Sequence, residues 1–533
     1  MNSLTSGMDR PEGAGDLRRA ARMVLVLFAV VALAGVLLRP LMPIDETRYL
    51  AVAWEMRLNG DWLVPTRNFA LYSDKPPLLF WSINLVWLVT GVSEIAARLV
   101  SPAYAILSLW LTGRLAARLW PEDPAAGPRA VLALAAMPVF LVSGSLTMFD
   151  TMLTAMVLLG MVALCHAGEG RRAGWLGLGA AVALGVLAKG PVVLFHLLPA
   201  ALTLPLWHRA RPGWRTSLGG LALGMGAAAL LIALWLVPAA TFGGPEYRHA
   251  ILWTQSAGRM ASSFAHARPW WFFLALLPVL GFPWIFLPGL WQAARRASWA
   301  EPGLRLAAIW GGVAFLAFSA ISGKQVHYLV PELPALALIA ARLTAGRTPR
   351  LTGAMLPLGV IALVLILAGA GAIELGDAAE VFRPRSALLA LGLGLVALIW
   401  ASLRRHGLVT AALLAMALVT GLNLAIGLTS AREIYDSHVI ASRIAPHEAR
   451  GIAYSGQRYH AEFNFAARLT RPVAELDGPA EVRDWALAHP GGVLVGRIDR
   501  FDPGWPPAEV LRYRNTSYGI WRVPEAAQNR TTP

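Results

Sequence analysis

The chain has 533 residues, 56% of them hydrophobic and only 14% charged, where a soluble globular protein carries roughly 25% charged residues. This excludes a wholly soluble globular protein and predicts an all-α polytopic membrane protein, in which the abundant Gly and Pro are tolerated. The net charge of +15 resides mostly in arginines at short breaks between apolar runs, so the expected partners are membrane lipids and no nucleic acid.

In chain order, residues 1–22 are polar and basic. The apolar run after them, about 17 residues, is longer than a signal-peptide core and is followed by no evident cleavage site. A retained first helix with a cytoplasmic N terminus is expected. Apolar runs able to span occur near 22–39, 97–118, 130–147, 150–166, 174–190, 191–207, 216–240, 271–292, 304–321, 328–343, 353–373, 386–402 and 408–428. Each is near the bilayer requirement of roughly 20 residues. The run 78–90 decides the topology. If it spanned, Arg114, Arg118 and Arg129 would lie outside. If it lies in the interface, they fall inside, as do Arg171, Arg172, Arg295, Arg296, Arg347, Arg350, Arg404 and Arg405. The positive-inside rule therefore predicts about 13 transmembrane helices with 78–90 interfacial.

The loops then left outside carry Asp45, Arg48, Tyr49, Tyr72, Asp74, Lys75, Asp150, Lys189, Arg259, His266, Lys324 and Tyr328. Charged groups at or near membrane depth are costly and tend to be functional, and one active site requires them on one side. Cys165, the single cysteine, lies inside an apolar run, so no intrachain disulfide or cysteine-based metal site is possible. Residues 430–533 are polar, with alternating runs such as GGVLVGRID and turn signals such as HPGG. A small α/β domain on the outer face is expected there, after a transmembrane domain at 1–429 whose first outer loop is 40–96.

Asp45, beside Arg48, can accept a proton from a hydroxyl. It also reads as a helix cap ahead of ETRYLAVAWEMRL. Lys75 alone could be an interfacial anchor, and Lys189, Arg259 and Lys324 are each ordinary singly. Together with carboxylates on one side they suggest a phosphate or diphosphate near an acidic base. Tyr49, Tyr72 and Tyr328 suit either a headgroup or sugar contact or the bilayer interface, and Trp270-Trp271 reads as an aromatic belt. Asp74 and His266 are a two-residue metal signal, and His249 and His327 read as solvated loop residues. Periodicity and spacing lead to a lipid-phosphate-binding membrane enzyme.

DETRYLAVAWEMRLNGDWLVP followed by YSDKPPLLFW resembles the first extracytoplasmic loop of glycosyltransferase family 39. This GT-C fold family includes the lipid A aminoarabinose (4-amino-4-deoxy-L-arabinose) transferases and the protein O-mannosyltransferases, and the likeness is to the former and their relatives. It continues through LVSGSLTMFDTML, GVLAKGPVVL, QSAGRM with HARPWWFF, and SGKQVHYLVP, over about residues 20–345.

The resemblance implies a sugar carried on undecaprenyl phosphate, 4-amino-4-deoxy-L-arabinose or a related pentose or hexose. Transfer would be inverting, at the outer face of a bacterial inner membrane, to lipid A or another lipid or glycan. Asp45 would be the catalytic carboxylate, with Asp150 a second acid, and Arg48 and Tyr49 would line the cavity. Lys75, Arg259 and Tyr328 would hold the lipid phosphate, with Lys189 and Lys324 as further candidates. The family's Tyr-Phe-Glu-Lys-Pro is here Tyr72-Ser73-Asp74-Lys75-Pro76, and its Glu-His is Gln255-Ser256. A divalent cation held from those places in the family would find Asp74 but a serine for the histidine. Transfer to Ser or Thr of a protein is the alternative acceptor reading. A lipid-linked sugar flippase is the other rival, and it should show an inverted repeat, which is not visible.

Overall fold

The structure is a computed structural model and describes residues 13–253, 267–376 and 378–525. Among these, ten helices are long and apolar enough to cross a membrane, or eleven if the bent pair α6 (Ala126–Ala135) and α7 (Pro138–Ser145) is one span. That pair turns by 72°. Pro138 disfavours a helical Met137, which is extended at φ −99°, ψ 102°. The other two expected spans, 191–207 and 271–292, are divided into helices too short to be counted among these. The run 191–207 divides into α10 (Val193–Leu202), with Pro199 inside it, and a turn at Leu204–Trp207. The run 271–292 divides into Phe272–Leu280, Trp284–Phe286 and Pro288–Arg296, with Pro278, Pro283 and Pro288 at or near the breaks. Proline removes a backbone donor and clashes with the preceding turn, so length alone overstated these two.

The centre of the bundle is α8 (Asp150–Gly168), whose most apolar stretch is 83% buried by protein, against 22% for Trp214–Phe242 and Arg385–Arg404. The outer helices instead expose Leu234, Phe242 and Leu356, the surface a hydrocarbon solvent accepts. Helix α9 (Arg172–Lys189) approaches Trp214–Phe242 so closely that a Cβ on Gly179 would lie 2.4 Å from the Gly224 carbonyl oxygen. Small residues allow such contact between membrane helices. Gly179→Val should lower the thermal stability of the detergent-solubilised protein by about 1–3 kcal/mol. Gly219→Val is the control, because its Cβ would meet nothing within 4 Å.

Between α1 (Ala14–Leu38) and α4 (Glu94–Arg98) lie α2 (Asp45–Asn59), the hairpin β1 (Thr66–Arg67) and β2 (Ala70–Leu71), and α3 (Leu78–Thr90). Asn84 on α3 donates to the Ala53 carbonyl on α2 at 3.0 Å. At 13 residues α3 is short for a span, and Leu85, Leu88 and Val89 are exposed on it.

The C-terminal part is a five-stranded mixed sheet in the order β4-β3-β5-β7-β6. Its strands are β3 (Ile452–Ser455), β4 (Ala474–Leu476), β5 (Val493–Arg497), β6 (Glu509–Tyr513) and β7 (Thr516–Arg522). β3 runs parallel to β4 and β5, while β7 is antiparallel to β5 and β6. The sheet region shares a core with the first loop. Buried Glu55 accepts from Asn68 N at 2.7 Å, Phe69 N at 2.8 Å, Thr66 Oγ1 at 2.8 Å and Asn464 Nδ2 at 3.4 Å. Asn68 exchanges two 2.8 Å hydrogen bonds with the Val473 backbone, and Trp87 stacks on Phe465 at 5.7 Å. Burial favours Glu55's neutral form, and its four donors oppose that.

A second tie between the two parts is ionic. His438, on helix Ser437–Ile444, places Nδ1 2.9 Å from Asp436 Oδ1 and Nε2 3.3 Å from Glu94 Oε2. Arg98 meets the other Glu94 oxygen at 3.0 Å. Hydrogen bonds from Asp436, then Glu94, raise the His438 pKa from 6.5 to about 9. A raised folded-state value gives stability that is complete below 6.5 and lost as pH rises through about 9. Asp436 is shifted down, so its contribution fades only in acid. The melting temperature should therefore fall between pH 6.5 and 9, and His438→Gln should flatten that limb.

Candidate active site

Asp45 opens α2, and among the described residues no backbone N–H is bonded to its carboxylate. Instead it forms an ion pair with Arg48 and accepts from Tyr49 Oη at 3.0 Å. Glu46 accepts from Met42 N at 3.0 Å and from Thr147 N at 2.7 Å, tying the start of α2 to the approach to α8. Asp45 is thus left facing side chains, with 43% of its own side chain exposed. Burial, then the Asp45 charge, raises the Tyr49 phenol, so it acts as a neutral donor.

An aromatic cluster connects this corner to the membrane end. Phe149 meets Tyr49 edge-on at 4.8 Å and Phe80 at 5.8 Å, and Tyr72 meets Phe80 at 6.1 Å. The Lys75 ammonium lies 5.8 Å from the centre of Phe149. Tyr72 is buried, with its hydroxyl lacking a hydrogen-bond partner among the described residues. Burial raises its pKa as well.

Phe149 immediately precedes Asp150, the first residue of α8 and 1% exposed. Lys189, the last residue of α9, places Nζ 2.5 Å from Asp150 Oδ1. Each charge sits at the helix end that favours it, the acid at an N-terminus and the base at a C-terminus. Gly190, at φ +82°, lets the chain turn away directly after Lys189. The Lys189 ammonium also lies 4.9 Å from the centre of the Tyr328 ring.

Lys75, Lys189 and Tyr328 line a cavity of about 690 Å³. Its other walls are largely apolar and include Leu194, Phe195, Leu198, Val313 and Phe318. Lys75 and Lys189 also line a neighbouring cavity of about 350 Å³ with Asp74, Trp235 and Tyr247. Both volumes fall in the range of ligand sites. Two ammonium groups in the lining of a largely apolar cavity suit a phosphate carrying a hydrocarbon chain. Carboxylates beside them suit proton acceptance.

Other expected members fall elsewhere. Lys324 is buried and lines neither cavity, since its ammonium donates to the carbonyls of Arg268, at 3.1 Å, and Ile321. Arg259, His266, Gln255 and Ser256 lie outside the described residues. Asp74 belongs to no group of three or more His, Cys, Asp or Glu side chains able to hold a metal ion among the described residues.

Some members were not expected. His327 is half-buried in the 3₁₀ helix Val326–Glu332. It lies within electrostatic reach of Asp150, Lys189, Lys75 and Asp45, rather than being solvated. His460, from the C-terminal part, is brought down to about 4 by burial and by the charges of Arg48, Arg67, Arg458 and Arg514. The sequence signal for His327 was its place beside Tyr328, whereas His460 had none.

The family of dolichyl-phosphate-mannose-protein mannosyltransferases matches residues 74–237, a range that includes Lys75, Asp150 and Lys189. An undecaprenyl phosphate-alpha-4-amino-4-deoxy-L-arabinose arabinosyl transferase of Pseudomonas aeruginosa (strain LESB58) is 34% identical over 366 residues, covering 65% of this chain and 65% of its own length. A protein of the same name from Erwinia tasmaniensis is 32% identical over 330 residues, covering 61% of this chain and 59% of its own. The chain thus spans somewhat less than two thirds of the curated relatives it matches. The crystal structure of ArnT from Cupriavidus metallidurans bound to undecaprenyl phosphate superposes with a TM-score of 0.74 at 22% identity, covering 96% of this chain and 98% of that one. Its apo form gives 0.71 at 21% identity, covering 95% and 98%. The fold is that of these GT-C membrane proteins, with a small sheet-containing C-terminal part. The sequence resemblance to aminoarabinose transferases holds in these comparisons.

Proposed function

We propose that this multi-span membrane protein is a glycosyltransferase that takes a sugar from undecaprenyl phosphate and gives it to lipid A or another lipid or glycan outside the membrane. The observation that carries this reading is that Lys75, Lys189 and Tyr328 line one largely apolar 690 Å³ cavity, with Lys189 paired to Asp150 and the Asp45–Arg48–Tyr49 corner linked to Lys75 through Phe149. The names of the similar proteins support the donor class and the sugar, 4-amino-4-deoxy-L-arabinose.

In this reading the acceptor hydroxyl attacks the anomeric carbon while its proton passes to Asp45. The bond from that carbon to the phosphate oxygen breaks, inverting the centre, and undecaprenyl phosphate departs. Lys75 and Lys189 stabilise the charge gathering on the leaving phosphate. Arg48 and Tyr49 orient Asp45 through the bonds they already make to it. The protein would sit in a bacterial inner membrane, with α3 along the interface, the N terminus cytoplasmic and the C-terminal part, residues 430–533, periplasmic. Arg259 stands as a further phosphate ligand by resemblance.

The test is reconstitution in liposomes with undecaprenyl-phosphate-linked aminoarabinose and lipid A, followed by mass spectrometry of the lipid A. Sugar-bearing lipid A supports the reading, and unmodified lipid A beside an undiminished donor contradicts it. The family matched by residues 74–237 is named for transfer to proteins, so a Ser/Thr peptide acceptor belongs in the same assay.

A further inference from the structure

Among the described residues, two ionisable pairs each place one member in the lining of the 690 Å³ cavity, and one of them, Asp150–Lys189, supplies the Lys189 cation to the proposed chemistry. The other joins His196, on α10, to Glu332, at the end of the helix Val326–Glu332, through Nδ1 and Oε1. His196 is 0% exposed and Glu332 8%. Their outer atoms, Nε2 and Oε2, have no hydrogen-bond partner among the described residues. Burying such a pair carries a desolvation cost that an apolar pair of similar volume avoids. Here the pair lies in a wall where apolar side chains would pack.

Its place in the fold suggests what it does. α10 supplies Leu194, Phe195, His196 and Leu198 to the cavity lining, and Phe318 and Tyr328 line it from other helices. Phe318 lies between them, its ring centre 5.4 Å from that of His196 and 6.1 Å from that of Tyr328. Tyr328 in turn lies under the Lys189 ammonium at 4.9 Å. Glu332 belongs to the same short 3₁₀ helix as Tyr328. The His196–Glu332 bond therefore ties α10 to the helix bearing Tyr328, close to the group that meets the lysine. α10 is a ten-residue segment set off from α9 by Gly190 and Pro191, so the bond joins two separate short elements.

We propose that His196 and Glu332 are a positioning pair, which fixes α10 to the helix bearing Tyr328 and so keeps Tyr328 and Lys189 in register for a lipid phosphate. This rests on the cavity being the lipid-phosphate site. The pair touches no reacting atom, and its loss acts through the fit of the donor rather than through the chemical step.

The test uses the full-length protein in detergent, with undecaprenyl phosphate as the binding probe and donor steady-state kinetics beside it. His196→Asn keeps an amide near the Nδ1 position and should bind within about threefold of wild type. His196→Gln cannot reach Glu332 from the same place, and should bind about tenfold more weakly, a factor worth about 1.4 kcal/mol. The double variant His196→Leu with Glu332→Leu leaves no buried charge and should fold at least as stably as wild type. It too should bind about tenfold more weakly, with the donor KM raised and kcat nearly unchanged. A folded double variant that binds and turns over like wild type overturns the inference while leaving the function intact. Wild-type protein that fails to bind undecaprenyl phosphate removes the function, and the inference with it.

Discussion

Asp45→Asn is expected to abolish sugar transfer while leaving the protein folded, inserted and able to bind undecaprenyl phosphate. Asparagine preserves the shape and can still accept from Arg48 and Tyr49, which now bond the carboxylate. What it loses is the capacity to take a proton. General-base assistance contributes roughly 10² to 10⁴ in rate, so turnover should fall by about that factor with the donor KM little changed. Asp45 is partly exposed and is bonded by the side chains of Arg48 and Tyr49, so the thermal denaturation curve should move little. Single-turnover transfer in liposomes, with melting curves of both proteins, measures the two effects separately. A variant with full activity removes Asp45 from the chemistry.

The second large effect is expected at Lys189. Lys189→Met removes one of the two ammonium groups shared by both cavities and strands Asp150, which is 1% exposed. Breaking a buried pair from one side typically costs about 3–5 kcal/mol, because the remaining charge is uncompensated. The single variant should therefore lose both stability and lipid-phosphate binding. Adding Asp150→Asn removes the stranded charge and should restore most of the stability. Binding should stay lost, since the phosphate still lacks its cation. Recovery of both together would assign Lys189 a purely structural role. Thermal unfolding and undecaprenyl phosphate titration of wild type, single and double variants decide between these.

The contrast between Asp45 and Lys324 shows how far the sequence could be read. Both were legible as charged groups just outside a span. The i, i+3 and i, i+4 spacing on the expected helix put Arg48 and Tyr49 beside Asp45, whereas nothing in the spacing showed that Lys324 would be consumed by the carbonyls of Arg268 and Ile321. A lysine beside a helix end has backbone acceptors close by, and composition does not reveal whether it uses them. The apolar runs, by contrast, identified the membrane segments well, because hydrocarbon leaves the backbone few options. Even the two broken spans carried their reason in Pro199, Pro278 and Pro283.

Contacts distant along the chain were the least readable. Asp150 and Lys189 are 39 residues apart, and the Glu55–Asn464 bond closes a separation of 409. No periodicity encodes such pairings. This is why the C-terminal part was recognised as a sheet-forming region, yet not as the partner that fixes the Asn68–Phe69 turn of the first loop. That turn needs fixing, since both residues take positive φ, at 52° and 62°, a conformation uncommon for non-glycine residues.

The central claim is that this arrangement transfers a lipid-linked sugar with Asp45 as base. Its most direct test is mass spectrometry of envelope lipids and glycans from a strain lacking the gene, complemented with wild type or with Asp45→Asn. The account requires one sugar to disappear on deletion, to return with wild type and to stay absent with the folded Asp45→Asn protein. An unchanged envelope on deletion, or full restoration by Asp45→Asn, would contradict it.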